Sequence, residues 1–398
     1  MGKIRKGNFF SQALVFLIFF GFIFPSGIFG RSEPKTGENT LPGEELSGRR
    51  ASYAHYAALI AGISDPQSML ASFENGLVWT EFAGYIDQKW EKYDKMQLAP
   101  MRKWVAGELA KTMSSGFTVF YPFSGPDFIS PYTLFPGAGT YILTALEPIG
   151  EIPDFQAMSR YDFDSFFTDM TRSFYDFLNL DYFISSHMLT GVESKELNGV
   201  LPFLLFFMAR AKTRILDVQY WFIGPDGKIE RVPGFETGKS GPKGAVPGVR
   251  ILFERADSPG NDIRTLYYFQ LNLYDPTFRR NGPLIAFLKN FGPLVTYMKS
   301  AAYVMFDSPA YTARRFVLDQ SRYILQEDSG IPLRCFDPSL WAFQFYGAYT
   351  RPISIFKDDY QADLAGIYKK GRDIKPLPFG IGYRFQVDTA NLMLAIRK

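Results

Sequence analysis

FTVFYPFSGPDF, residues 117–128, followed closely by TYILTALEP, residues 140–148, carries the reading of this fold. Residues 117–122 and 140–146 are short apolar runs rich in β-formers and bounded by Pro, Gly and Ser, the pattern of buried strands. Between them Asp127 stands where it can cap a short helix reaching Phe135, with Pro131 in its first turn. Strand, helix, strand in this order reads as a right-handed crossover joining two parallel neighbours, and sheets of that kind are covered by helices on both faces.

Working outward, Trp79, Phe82, Ile86, Trp90 and Tyr93 recur at three- and four-residue steps, and Pro100 suits the first turn of a following helix. Residues 51–115 therefore read as a helical entry layer. Phe163, Phe166, Phe167, Met170, Phe174 and Phe177 form a second helical stripe. GVLPFLLFFMA, residues 199–209, is apolar on every side yet too short to span a bilayer, so it predicts a buried helix. Strands are expected at 214–223, turning at Pro225-Asp226-Gly227, and at 249–254 and 265–273, after a Gly- and Pro-rich insertion at 231–248. Helices are expected over 284–305 and 310–326, then strands over 342–349, 380–385 and 392–396, the last two as an antiparallel pair. Residues 116–398 thus predict one α/β domain: a mixed, mainly parallel Rossmann-like sheet flanked by helices, behind the N-terminal helical layer.

Lys3, Arg5 and Lys6 precede an apolar run from Ala13 to Phe24, then Pro25, Ser26 and Gly27, the order of a secretory signal. Residues 1–30 read as a signal peptide or N-terminal membrane anchor, since the 21 residues from Phe9 to Phe29 also suffice to cross a bilayer. Residues 31–50 are nearly free of apolar side chains and read as a flexible tether. The expected location is outside the cytoplasm, in the periplasm or held at the inner membrane. The three basic residues of the leader account for the whole formal charge of +3. The remainder is neutral, which excludes a basic nucleic-acid footprint. Cys335 is the only cysteine, so no intrachain disulfide supports the fold.

Chemistry is expected at the strand ends. Gly125 in the loop after the first strand and Glu147 closing the second are 22 residues apart. A glycine-bearing loop followed by an acid at this distance is how dinucleotide-type folds admit phosphate and hold ribose hydroxyls. The arrangement is similar at fold level to Rossmann-like proteins, including the class I methyltransferases, and that resemblance implies a cofactor-dependent transferase. It departs from the pattern in having no G-x-G, with Pro126 stiffening the loop.

Ser124 at a strand-to-helix turn occupies the place of the nucleophile in an α/β-hydrolase elbow, although the first glycine of G-x-S-x-G is missing. His55 and His187 are the only histidines, and two histidines with one cysteine cannot build a thiolate or imidazole zinc site. Asp127, Glu147, Glu151 and Asp154 gather near the strand ends and could serve as acid and base on a glycosidic bond. Glu327-Asp328-Ser329-Gly330 and Lys357-Asp358-Asp359 raise the same question. Trp341, Tyr346 and Tyr349 could stack on sugars. The resulting expectation is an exported, envelope-associated ligand-binding protein whose site comprises Phe123, Ser124, Gly125, Asp127 and Glu147. Ser124, Asp127 and Glu147 are the catalytic candidates if the chain is instead a hydrolase of envelope carbohydrate or ester. No metal or cofactor is expected. The expected partners are the membrane, through the N-terminal segment, and an envelope small molecule or saccharide.

Overall fold

The computed structural model describes residues 43–398 apart from 111–112, 114, 181–196, 232–243, 259, 261, 275–277 and 279–281. The leader, His187 and most of the Gly-rich insertion lie outside the described residues. Helix α1 (Gly43–Ile60) begins within the stretch read as a tether. Helix α2 (Leu77–Tyr93) buries Trp79, Phe82, Ile86, Trp90 and Tyr93 on one face, as their spacing requires. One π-helical turn, Asp94–Leu98, leads into α3 (Ala99–Glu108), whose first turn takes Pro100, where a missing N–H is harmless.

Strand β1 (Thr118–Pro122), helix α4 (Ile129–Leu134) and strand β2 (Thr140–Ala145) form the expected crossover, with Val119 opposite Tyr141 in a parallel ladder. Helix α5 (Arg160–Leu180) carries the phenylalanine stripe and α6 (Leu201–Arg210) is buried from Leu201 to Met208. Strands β3 (Thr213–Ile223), β4 (Ile229–Arg231), β5 (Val246–Arg255) and β6 (Arg264–Gln270) follow. Helix α7 (Gly282–Lys289) then gives way to β7 (Leu294–Met298), and α8 (Tyr311–Gln320) runs directly into β8 (Ser321–Gln326). Strand β9 (Trp341–Gly347), helix α9 (Ala362–Lys370) and strands β10 (Ile374–Lys375) and β11 (Asn391–Arg397) complete the chain.

The eleven strands among the described residues join one sheet in the order β10-β9-β11-β8-β7-β1-β2-β6-β5-β3-β4. This corrects the expectation of a mainly parallel sheet. Five of the ten ladders among the described residues are antiparallel. The centre, β8-β7-β1-β2-β6, is parallel. The physical reason lies in the connections: a tight turn at Gly224–Lys228 joins β3 to β4, and β5 and β6 are too close in sequence for a crossover helix, so such links return a strand antiparallel.

Two more expectations are corrected. The apolar stretches 284–305 and 310–326 are each a helix followed by a strand. Residues 380–385 form no strand but a tight reversal with one isolated bridge, Ile381 to Arg384. Gly380 is required there, since a Cβ on it would lie 1.7 Å from the Phe385 carbonyl oxygen.

Alternation along the central strands divides the interior. Val119 and Tyr121 of β1 enter a core shared with α1–α6, whereas Phe120 enters a second core beneath α7, α8 and α9. In the first core Phe174 meets Phe203, Phe206 and Phe207 at centroid distances of 5.3, 3.9 and 5.7 Å. Truncating such a ring to alanine costs about 3–5 kcal/mol. Both faces of the parallel centre are thus covered mainly by apolar side chains, and its charged groups gather at the strand ends.

Candidate functional site at the carboxyl ends of the parallel strands

Backbone geometry turns sharply where β1 ends. Phe123 has φ 62° and Gly125 φ 53°, in the left-handed region that an ordinary side chain enters at a cost of about 1–3 kcal/mol. Phe123 leans on the second core, and the position of a Cβ on Gly125 meets nothing within 4 Å. Ser124 ties the loop to β2: its N–H donates to the Thr144 carbonyl at 3.0 Å, and its hydroxyl donates to the carbonyls of Gly125 at 2.8 Å and Thr144 at 3.3 Å. That hydroxyl donates to backbone carbonyls, which cannot take its proton, whereas a nucleophile's hydroxyl donates to a side-chain base.

Asp127 is 2% exposed. One carboxylate oxygen accepts the Ser130 N–H at 3.0 Å, satisfying an otherwise orphaned donor at the start of α4. The other accepts the Tyr121 hydroxyl at 3.3 Å and lies 2.8 Å from the Lys299 ammonium, which emerges immediately beyond β7. Lys299 also donates to the Ser130 hydroxyl at 3.0 Å and sits 5.5 Å from the ring centroid of Phe177 on α5. The two charged side chains are 3% and 2% exposed, a buried pair that would leave an uncompensated charge if either partner were removed. Sequence reasoning missed Lys299 because the strand that carries it was read as helix.

Glu147, just beyond β2, is 4% exposed, and its backbone oxygen accepts the Tyr268 hydroxyl at 2.7 Å. Burial, and then the Glu147 charge, raise the Tyr268 phenol well above its ordinary value. The remaining acids of the expected cluster stand apart from this arrangement: Asp154 is exposed and accepts the Ala157 N–H at 3.2 Å, and the Glu151 N–H donates to Asn198 at 3.0 Å.

A second polar cluster fills the neighbouring strand ends. Glu327, at the end of β8, accepts the N–H of Ser300 at 2.8 Å and of Ser329 at 3.2 Å, and also the Ser329 hydroxyl. The Ser329 oxygen in turn accepts the Ala301 N–H at 2.8 Å. Asp328 accepts the Tyr303 hydroxyl and, at 2.6 Å, the Asn391 amide. Three residues of the turn after β7 are left-handed: Ser300 (φ 50°), Ala302 (φ 49°) and Tyr303 (φ 55°). Burial, then the Asp328 charge, push the Glu327 carboxyl up to about 8 against the hydrogen bonds that favour its ionised form. A cavity of about 10 Å³ beside Glu327, Asp328, Gln361 and Asn391 is large enough for about one water molecule.

In the third acidic segment Lys357 and Asp358 are exposed and Asp359 is half-buried, and burial, then the Asp307 and Asp358 charges, push the Asp359 carboxyl up to about 6. His55 lies 3.7 Å from Asp65 in the helical layer. The sugar-stacking expectation is corrected: Trp341, Tyr346 and Tyr349 are 3%, 1% and 4% exposed and pack in the two cores. Among the described residues no three His, Cys, Asp or Glu side chains are grouped to hold a metal ion, and no helix is long and apolar enough to cross a membrane. No protein-family model matches the sequence, and a search of curated proteins finds no match.

Proposed function

We propose that the protein binds a small molecule bearing vicinal hydroxyls at the carboxyl ends of β1 and β2, with the Phe123–Asp127 loop as one wall and Glu147 as the hydroxyl acceptor. The strand order carries this reading. Counted one to seven along the chain, β1, β2, β6, β7, β8, β9 and β11 lie in the order 3-2-1-4-5-7-6, with the seventh antiparallel. The order reverses between β1 and β7, and open α/β sheets take ligands outside the carboxyl ends at such a reversal. The order resembles that of Rossmann-like folds, and the inserted antiparallel strand is similar to the pattern of the class I methyltransferases. The left-handed Gly125, with space where a side chain would project, and the buried acid at the end of β2 support the same location.

A binding role is preferred to hydrolysis because Ser124 and Asp127 are both engaged in holding the loop and α4. The basic-then-apolar leader supports export, with the ligand drawn from the envelope and the N-terminal segment meeting the membrane. A transferase using a nucleoside cofactor is the second reading, favoured by the strand order alone.

Thermal unfolding of the whole protein tests both, with S-adenosylmethionine and NAD in one arm and envelope saccharides in the other. A ligand at 100 times its Kd adds about 2.7 kcal/mol and raises the midpoint measurably. Glu147→Gln is expected to melt as the parent does without ligand and to lose the shift. A nucleoside response selects the transferase reading and a saccharide response the envelope reading. Silence in both arms, or a shift retained in Glu147→Gln, overturns the site.

A further inference from the structure

On the antiparallel wing, far from the β1–β7 reversal, cross-strand register brings Gln219, Arg250 and Tyr267 into one row across β3, β5 and β6. The next row on that face is Trp221, Gly248 and Phe269. Gly248 lets the Phe269 ring lie directly over the backbone, since a Cβ there would fall 2.3 Å from that ring. Phe287 of α7 covers the inner end of both rows, at 5.4 Å from Tyr267 and 5.2 Å from Phe269. Gln219, Trp221 and Arg250 remain half-buried at the outer end.

Donors dominate this outer end. The Arg250 guanidinium lies 4.7 Å from the ring centroid of Trp221, donates to the Gln219 side-chain oxygen at 2.6 Å and also bonds the Tyr267 phenol oxygen. Its Nε, and the indole nitrogen of Trp221 beside it, are both buried without a hydrogen-bond acceptor among the described residues. Among the described residues no carboxylate pairs with Arg250. Two adjacent buried donors left unpaired are unfavourable, because each has given up its water without replacement. A guanidinium next to an aromatic N–H is the donor set that a planar acceptor with two oxygens satisfies.

We propose that the Trp221–Arg250 patch is a binding site for a carboxylate-bearing small ligand. Arg250 supplies the charge and the fork, Trp221 supplies the second donor and a flat apolar surface, and Gln219 holds the guanidinium in place. The ligand can be an acidic sugar or a free organic carboxylate. The sugar uses the aromatic surface as well, whereas the free carboxylate needs only the donors.

Calorimetric titration of the whole protein with a galacturonic acid trisaccharide, citrate and the neutral sugar maltotriose tests this. Binding of the trisaccharide with a Kd below about 1 mM is expected, that being the weak end of the useful affinity scale. Arg250→Met, which keeps the stem on the indole, should weaken it at least tenfold, and Trp221→Phe, which keeps a ring and removes the N–H, severalfold. Glu147→Gln should bind as the parent does, separating this site from the strand-end one. Citrate binding as tightly as the sugar identifies a free carboxylate site, and sugar alone identifies an acidic saccharide site. No binding by either carboxylate, equal binding of maltotriose, or Arg250→Met binding like the parent overturns the proposal. Should Arg250→Met fail to fold, Arg250→Lys, which keeps the charge but loses the fork, must show the tenfold loss.

Discussion

At the ends of β1 and β7 the Asp127 carboxylate faces the Lys299 ammonium, while one strand further on Glu327 and Asp328 stand side by side with no ion-pair partner among the described residues. Both clusters are buried and both belong to the same edge of the sheet. In the first, opposite charges offset the cost of leaving water. In the second, only hydrogen bonds do so, and the Glu327 carboxyl rises to about 8. The comparison teaches that what a buried strand-end acid is paired with depends on the side chain the neighbouring strand supplies.

The sharpest way to break the comparison is Lys299→Met, which makes the first cluster resemble the second. Leaving Asp127 buried without its cation should cost about 3–5 kcal/mol in urea unfolding, and Asp127→Leu combined with Lys299→Met should restore most of it. A structure that depends little on this pair would lose less than about 1 kcal/mol.

Glu327→Gln sharpens the other side. A carboxyl raised in the fold contributes stability that is complete below its unfolded value, near 4.5, and is lost as pH rises through about 8. Unfolding free energy measured from pH 5 to pH 9 should therefore fall in the parent protein and be flatter in Glu327→Gln. The variant should be the more stable at pH 9, by on the order of 2 kcal/mol. Parallel pH profiles for the two proteins would show that Glu327 ionises without penalty.

Smallest is the effect of Ser124→Ala, which removes a hydroxyl bonded to two carbonyls and should cost about 1 kcal/mol. Ligand response in the thermal assay should survive it. Loss of a turnover activity with stability intact would instead make Ser124 the nucleophile.

Legibility in the sequence followed the strength of local pattern. Trp79 to Tyr93 and Phe163 to Phe177 repeat at the helical period for several turns, and the structure buries those faces. The β1–α4–β2 crossover was readable from two apolar runs separated by Pro, Gly and Asp. LVTYM and YILQ were not read as strands, because a fully buried strand lacks polar alternation and its apolar run continues that of the preceding helix. Gly292-Pro293, directly before β7, was the available signal. Missing β7 concealed Lys299, and with it the partner that engages Asp127. Pairing direction was equally hidden, since a strand such as β11 inserts between β8 and β9 through contacts more than forty residues away in sequence.

The sequence by itself therefore determined the helical stripes, the α/β alternation, the neutral charge beyond the leader and the capping role of Asp127. Those depend on residues within a few turns of one another, where spacing and side-chain chemistry suffice. Only the tertiary structure decided the mixed sheet, the reversal between β1 and β7, the Asp127–Lys299 pair and the raised Glu327 carboxyl. Each depends on which distant segment lies 3–5 Å away in a dry interior, and in such a place the neighbour governs both pairing and charge.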